Sequence, residues 1–278
     1  MDSLELCRKY KEREYADRVS HIVKLGYLRG IRDEIIVLSF TDELRDLLQK
    51  VEVGLRNVQS SSYKDTILLD SYSSATIEGC RTTIERVRTC IKGEKPTKDD
   101  LMVLNILKAQ NMYKGTTVSC VKDIVDMWRV ISKGVCENTS KQGKFFRSSM
   151  IYIGNENRVV HTPEVPDKIP KKLELLVDFL NSNINQILKG IICHYYIEYI
   201  HPMCDGNGRL GRLLQSIVIS GNIFKIPVIS TINENLSGYY KSIKDSNIPC
   251  NVCGLGMCID VVPFVEYMLL CMLMTIGY

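Results

Sequence analysis

The chain has no long uncharged apolar stretch, no marked excess of one charge and only one tryptophan among its 278 residues. Its 36 basic and 32 acidic side chains give a formal net charge of +4, too small an excess to indicate a nucleic-acid-binding protein. The longest apolar segment, residues 261–278, contains Pro263 and Glu266 and therefore favours a buried helix over a membrane span. The charged N-terminus lacks the apolar core of a secretory signal, so we expect a cytoplasmic protein that contacts no membrane.

A disulfide framework is also missing from the sequence. The eleven cysteines are odd in number and scattered along the chain, which is typical of reduced thiols in the cytoplasm. Cys250, Cys253 and Cys258 begin with a CxxC spacing that is suited to zinc. Because this segment has no clear fourth ligand and no nearby histidine, buried thiols are the default interpretation, and zinc binding stays open.

Helical periodicity extends over most of the chain, in residues 42–58, 82–91, 99–113, 121–133, 171–183 and 187–199. Residues 140–170 are the exception, because two short β-prone runs, 149–153 and 158–161, flank a turn and predict a hairpin. A lone hairpin is marginally stable, so we expect it to lie against helices. The sequence therefore predicts a mainly α fold, with a helical N-terminal region (1–62) and a hairpin-bearing helical core (63–278), divided near residues 60–62.

Residues 201–212, HPMCDGNGRLGR, combine features of a phosphate site. Pro202 interrupts the preceding helical pattern, and Gly206, Asn207 and Gly208 allow the backbone to approach a ligand closely before a new helix begins. The free N–H groups and the dipole at such a helix start both favour an anion. Arg209 and Arg212 are three residues apart, so both can reach phosphate oxygens.

Two further side chains in this segment suit catalysis. Asp205 is the kind of ligand that Mg²⁺ prefers together with phosphate oxygens, and His201 can accept a proton near neutral pH. For any one of these residues, an ordinary polar turn between helices is an adequate explanation. Their occurrence together within twelve residues favours a nucleotide-phosphate and metal site.

The same twelve residues resemble the signature of the Fic family, HPFx(D/E)GNGRxxR, and would form its catalytic loop. Met203 is the one departure, since the family usually has phenylalanine there, and we expect methionine to fill the same core pocket less rigidly. The resemblance covers roughly residues 73–278. It includes the helical approach 194–200 and the hairpin, which is similar to the Fic flap and is expected at about residues 145–165.

The resemblance implies a protein adenylyltransferase, a nucleotidyltransferase that moves AMP from ATP to a hydroxyl group of a target protein and of itself. His201 would deprotonate the Ser, Thr or Tyr hydroxyl, and Asp205 would hold Mg²⁺. Gly206, Asn207 and Gly208 would cradle the phosphates, whose charge Arg209 and Arg212 would neutralise. An edge of the flap could receive an extended target segment by strand addition.

An inhibitory helix is expected at about residues 70–80. Ser74 and Glu78 are four residues apart and would share one helix face, which by itself indicates only an ordinary helix end before Gly79. Beside the catalytic loop, SSATIEG resembles the Fic inhibitory motif (S/T)xxxE(G/N). The resemblance implies that Glu78 pairs with Arg212 and keeps it from the γ-phosphate of ATP, and the same glutamate could align water for removal of AMP.

Several interpretations remain open from the sequence. Tyr239 and Tyr240 either contact adenine, as the resemblance implies, or pack in the core, where a satisfied His194 is expected. The chain could instead transfer phosphate or another nucleotide or phosphodiester group, or bind nucleotide without catalysis. Residues 1–62 could dock a partner, form a homodimer or cover the core.

Overall fold

The computed structural model describes residues 22–58, 63–136, 145–155, 158–251 and 257–277. Two strands and five helices come first: β1 (Ile22–Arg29), β2 (Ile35–Ser39), α1 (Asp42–Asn57), α2 (Tyr63–Ile77), α3 (Ile84–Ile91), α4 (Lys98–Tyr113) and α5 (Val121–Ser132). The remaining elements are β3 (Ile153–Asn155), β4 (Arg158–His161), α6 (Ile169–Leu180), α7 (Gln186–Ile200), α8 (Asn207–Ile219), α9 (Val228–Glu234), α10 (Leu236–Ser246), β5 (Pro249–Asn251), β6 (Met257–Asp260) and α11 (Val262–Ile276).

The predicted mainly α fold is confirmed, and the helical periods in the sequence correspond to α1 and α3–α7. The strands β1, β2, β6 and β5, in that order, form a four-stranded sheet that periodicity did not indicate. The N-terminal region is therefore helical in α1, whereas residues 22–39 form a hairpin. The pairing of this sheet could not be predicted, because β2 lies parallel to β6 through only three residue pairs, and the paired residues are more than 200 positions apart in the chain. The predicted division at residues 60–62 lies outside the described residues.

Helices α7 and α8 form the centre of the molecule and pack against each other along their length. Every residue of α8 is buried, and α7 is buried except at Gln186 and Glu198. A helix surrounded by protein on all sides keeps its shape when a ligand binds at its end. The loop of residues 201–206 between the two helices is therefore held on a rigid frame.

The predicted flap is present as the antiparallel pair β3–β4, although its first strand is Ile153–Asn155 and not the predicted residues 149–153. It is attached to the core at its base, where Phe146 forms an isolated bridge with Met203 and the His161 ring Nε2 lies 2.7 Å from the Tyr199 carbonyl oxygen. Tyr152 and Val159 remain 67% and 55% exposed on the flap. The flap thus has a fixed base and an open apolar surface.

The turn between β1 and β2 lies against α7, just before the catalytic loop. The Tyr196 hydroxyl donates to the Arg29 carbonyl oxygen (3.0 Å), and the Ile31 N–H donates to the Tyr199 hydroxyl (3.2 Å). The Lys172 ammonium of α6 donates to the Gly30 carbonyl oxygen (2.7 Å) and lies 3.4 Å from a carboxylate oxygen of Glu164. Both of these charged side chains are buried.

The apolar segment near the chain end forms α11, which packs against α10, α1, α9 and α7. Pro263 occupies its first turn, where a missing N–H leaves no hydrogen bond unmade. Within the described ranges, no helix combines the length and the apolarity that crossing a membrane requires.

We predict that Lys172→Met lowers the free energy of unfolding by about 3–5 kcal/mol, because it leaves the carboxylate of Glu164 buried without its cation. Urea denaturation followed by circular dichroism measures this loss. Lys171→Met is the matched control, since Lys171 and its partner Glu174 are 71% and 56% exposed and such pairs contribute little. Equal losses in the two variants would contradict the role assigned to the buried pair.

Candidate active site

His201 lies at the C-terminal end of α7 in the left-handed conformation, with φ 48° and ψ 64°. Its N–H still donates to the Ile197 carbonyl oxygen at 2.9 Å, and Pro202 prevents the helix from continuing. A non-glycine residue adopts this conformation only when its surroundings hold it there. Burial lowers the pKa of the imidazole to about 4, so His201 is neutral at pH 7 and can accept a proton.

The catalytic loop is closed on itself by Asn207. Its amide accepts from the Met203 N–H (2.8 Å) and donates to the Met203 carbonyl oxygen (2.9 Å). Met203 is fully buried, as expected for a residue that fills a core pocket. Gly206 precedes α8 with φ 81°, a conformation that a glycine adopts readily. The side chain of Asn207 therefore shapes the loop, and its backbone begins the helix.

A pocket of about 450 Å³ lies at the N-terminus of α8. No side chain caps this helix end, so its first N–H groups face the pocket without a side-chain partner. Nine residues predicted for the site line the pocket, namely Glu78, His201, Asp205, Gly206, Asn207, Gly208, Arg212, Tyr239 and Tyr240. Arg209 and Ser74 lie behind it and contact residues of its wall.

Asp205 is held in place by three neighbours. Trp128 donates to its main-chain carbonyl oxygen (2.9 Å), and Arg209 donates to its carboxylate (3.2 Å). The Cys136 thiol, which was not predicted as a site residue, lies 3.1 Å from the other carboxylate oxygen. Burial alone would raise the pKa of Asp205, but the hydrogen bond from Cys136 and the charge of Arg209 outweigh it and lower that pKa.

Arg212 joins α8 to the segment at the end of α2. Its guanidinium donates to Glu78 Oε1 (2.6 Å), to the Ser74 hydroxyl (2.9 Å) and to the Ser74 carbonyl oxygen (3.0 Å). The third nitrogen, Nη1, is buried and has no hydrogen-bond partner among the described residues. The structure therefore brings together the two predicted motifs, which are 134 residues apart in the chain.

Glu198 is a second carboxylate beside Arg212 that sequence reasoning missed. Its Oε1 lies 4.0 Å from Arg212 Nη1 and accepts a hydrogen bond from the Tyr239 hydroxyl at 3.2 Å. Burial and the nearby charge of Glu78 raise the pKa of Glu198 to about 7. A charged residue inside the apolar run 191–200 was the signal that could have identified it. Gly208 separates the two carboxylates, since an added Cβ would lie only 2.9 Å from Glu198 Oε1.

The two tyrosines differ in their surroundings. Tyr239 is buried, and its hydroxyl lies 2.9 Å from His194 Nε2, whose ring partner Nδ1 lies 2.8 Å from Gln215. His194 is thus the satisfied core histidine that was predicted. Tyr240 is 53% exposed at the pocket wall.

Three residues of the same wall were not predicted: Ile243, Lys244 and Asn247. Among them, Asn247 has its side-chain oxygen Oδ1 fixed by a hydrogen bond from the Tyr195 hydroxyl at 2.8 Å.

The cysteine cluster near the chain end lies apart from this pocket. Cys250 and Cys258 face each other across β5 and β6, with their sulfur atoms 3.7 Å apart. Cys253 lies outside the described residues. Within the described part of the chain, no group of three or more His, Cys, Asp or Glu side chains is arranged to hold a metal ion.

Comparisons with known proteins relate this chain to the Fic family. Residues 120–219 match the model of the Fic/DOC family. The chain is 26% identical over 258 residues to protein adenylyltransferase fic-1 of Caenorhabditis elegans and 26% identical over 254 residues to protein adenylyltransferase Fic of Nematostella vectensis. These alignments cover 87% and 86% of this chain but 44% and 55% of the relatives. The chain therefore spans about half the length of the curated relatives it matches.

Solved structures share the fold. A Fic family protein from Desulfovibrio desulfuricans G20 superimposes with a TM-score of 0.71 at 23% identity, covering 85% of this chain and 74% of that one. Fic-1 from C. elegans superimposes with a TM-score of 0.59 at 21% identity, covering 84% and 69%. The resemblance to the Fic family and the Fic fold are thereby confirmed.

We predict that Glu198→Gln stabilises the protein at pH 8 but has little effect at pH 4.5. A carboxyl group whose pKa is raised from 4.5 to about 7 by folding opposes folding once it ionises, so the cost begins near pH 4.5 and is complete above pH 7. At about 1.4 kcal/mol per pKa unit, the gain above pH 7 approaches about 3 kcal/mol. Thermal unfolding at several pH values measures it, with the exposed Glu234→Gln as control. A pH-independent difference would contradict this assignment.

Proposed function

We propose that this chain, in which residues 120–219 form a Fic domain, is a protein adenylyltransferase that transfers AMP from ATP to a hydroxyl group of a target protein. The observation that carries the proposal is the pocket at the start of α8, where a neutral histidine faces an uncapped helix N-terminus flanked by buried arginines. This combination supplies a base and a phosphate site in one cavity.

The phosphates of ATP would lie at the N-terminus of α8. The backbone N–H groups after Gly206 and the helix dipole favour an anion there, and Arg209 and Arg212 add two positive charges. Each arginine has buried N–H groups without a partner among the described residues. A pocket of about 450 Å³ is within the range of nucleotide-sized ligand sites. At its far wall, Tyr240 and the amide nitrogen of Asn247 would contact the base.

His201 would act as the general base. The neutral imidazole takes the proton of the target hydroxyl, the hydroxyl oxygen forms a bond to the α-phosphorus, and the bond from that phosphorus to the bridging oxygen breaks, which releases pyrophosphate. Positioning and charge stabilisation supply most of the rate in such transfers. The fixed left-handed conformation of His201 supports the positioning part.

Asp205 would hold Mg²⁺. The residues present fit this ion, because one half-exposed carboxylate beside a phosphate site is the ligand set that Mg²⁺ completes with phosphate oxygens and water. When bound, the ion neutralises phosphate charge. The hydrogen bonds from Cys136 and Arg209 keep Asp205 ionised and fix the direction of its carboxylate, and Trp128 holds its main chain.

Glu78 would inhibit the enzyme by occupying Arg212. In this ion pair the side chain of Arg212 is buried and that of Glu78 is partly exposed, and Ser74 supplies two further acceptors to the guanidinium. A γ-phosphate must displace this pair to reach Arg212, so the released population sets the basal rate. Because Glu78 also lines the pocket, it could align water for removal of AMP from the target.

Partners and location follow from this activity. The substrates would be ATP and a protein that carries a Ser, Thr or Tyr hydroxyl, and the flap, which lines the same pocket as His201, would receive that protein. A cytoplasmic location is proposed from the sequence, whose eleven scattered cysteines are typical of reduced thiols.

We predict that Glu78→Gly raises self-modification by roughly tenfold or more. Without Glu78, ATP no longer competes with a carboxylate for Arg212, and a free-energy difference of about 1.4 kcal/mol changes the occupancy of Arg212 by ATP tenfold. Incubation with ATP labelled on the α-phosphate measures the incorporated AMP. Glu78→Gly combined with His201→Ala is the matched variant and should incorporate none.

Label position distinguishes this activity from its alternatives. Transfer from the γ-phosphate instead of the α-phosphate would indicate a phosphotransferase, and no transfer from either would indicate a nucleotide-binding module. An unchanged rate in Glu78→Gly would exclude the inhibitory role while leaving the transferase activity intact.

We predict that Asp205→Ala in the Glu78→Gly background raises the Mg²⁺ concentration needed for half-maximal transfer by roughly tenfold or more, since it removes the protein ligand of the ion. A magnesium titration of the labelling rate measures this shift. Asp167→Ala, on the short helix after the flap, is the control and should leave the titration unchanged. The same half-maximal concentration in both variants would contradict the metal assignment.

A further inference from the structure

Arg147 is a buried cation at the base of the flap, with 3% of its surface exposed. Burying a guanidinium is costly unless all its donors find acceptors. Among the described residues no carboxylate lies within ion-pair distance of it; its donors bind main-chain carbonyl oxygens instead. The identity of those oxygens indicates what the arginine does.

Two of the oxygens belong to the C-terminal end of α7. Arg147 Nε donates to the His201 carbonyl oxygen at 2.7 Å, and Nη2 donates to that of Ile200 at 3.3 Å. The last carbonyl groups of a helix have no partner within it, and a cation there also interacts favourably with the helix dipole. Arg147 therefore caps α7 at the residue proposed to be the base.

The other two oxygens lie on either side of the flap. Nη1 donates to the Ser149 carbonyl oxygen at 3.0 Å, and Nη2 also donates to that of Glu164. The Arg147 N–H adds a main-chain bond to the Pro202 carbonyl oxygen at 3.0 Å. One planar side chain thus joins the segment before β3, the segment after β4 and the end of α7.

The charge of Arg147 also acts on His201. Glu164 shares the same region, but its carboxylate is bound to the Val165 N–H and lies beside Lys172, so it does not form an ion pair with Arg147. After burial, the positive charge of Arg147 is among the causes that lower the pKa of the His201 imidazole, together with the neighbouring His161. A hydrogen bond with the Glu198 main chain and the charge of Glu78 act in the opposite direction and raise that pKa.

We propose that Arg147 is a positioning residue for the transfer step, which fixes His201 and both ends of the flap in one frame so that a hydroxyl presented by the flap meets the imidazole. This inference rests on the proposed function. Arg147 itself contacts neither nucleotide nor target, because it lies behind the loop. Its loss should impair the alignment of base and hydroxyl and leave the phosphate site intact.

The test compares Arg147→Gln, Arg147→Lys and Lys189→Met in the Glu78→Gly background. Lys189 is the matched control, since it is also buried and donates to the carbonyl oxygens of Leu180 and Ser182 at the end of another helix, α6. We expect kcat of Arg147→Gln to fall roughly 10- to 100-fold, as misplacement of a catalytic group by about 1 Å does. The KM for ATP should change less than twofold.

The pH profile separates positioning from a general loss of stability. Without the positive charge, the His201 pKa rises, so the acidic limb of the Arg147→Gln rate profile moves to higher pH. Arg147→Lys retains the charge, so it keeps the limb near its original position while losing rate. Lys189→Met should lower the melting temperature without altering kcat or the profile. An unchanged kcat and profile in Arg147→Gln, or the same changes in Lys189→Met, would overturn the proposal.

A second measurement keeps the inference independent of the enzymatic assignment. NMR titration of the histidine ring protons, with His201→Ala for identification among the four histidines, reports the His201 pKa without any substrate. Arg147→Gln should raise it, and Lys189→Met should not. If no variant transfers AMP but this shift is observed, the proposed function fails and the positioning contact stands; no shift would overturn the contact.

Discussion

The pairing of Arg212 with Glu78 connects the parts of the molecule on which the site depends. It joins the first turns of α8 to the end of α2, and Ser74 completes the coordination of the guanidinium. A buried arginine requires acceptors for its donors, so the site is stable with Glu78 docked and would be equally suited to phosphate oxygens. The same physical requirement would therefore serve both the proposed inhibition and the proposed binding of phosphate. Arg212 Nη1 has no hydrogen-bond partner among the described residues and lies beside Gly208.

The three carboxylates around the pocket differ in burial and therefore in their surroundings and charge state. Asp205 is half-exposed and receives hydrogen bonds, so it remains ionised and suits a cation. Glu198 is enclosed beside Tyr239, and its raised pKa keeps part of its population neutral near pH 7. Glu78 lies between them in exposure and carries the competing charge for Arg212. Gly208 permits Glu78 and Glu198 to approach the same arginine, because any side chain there would occupy the space between them.

The catalytic loop is stabilised from behind by interactions that have no ligand role. Asn207 closes the loop on Met203, and Arg147 caps the preceding helix while holding the flap. The hairpin β1–β2 contributes from the opposite side through Tyr199 and Lys172. Because α7 and α8 are buried on all sides, displacement at any of these contacts would be transmitted to His201 and not absorbed by solvent-facing residues.

The sequence alone determined the local geometry of residues 201–212, because the proline and the glycines in that order impose a helix end, a turn and a new helix N-terminus. It also determined the helical class, since the period of apolar residues is local information. It could not determine that β2 pairs with β6 or that Cys136 and Glu198 join the site, because these contacts connect positions far apart or lack a local pattern. Only the tertiary structure decided these points, including the burial that makes His201 neutral and encloses Arg212, because burial depends on what every other segment covers.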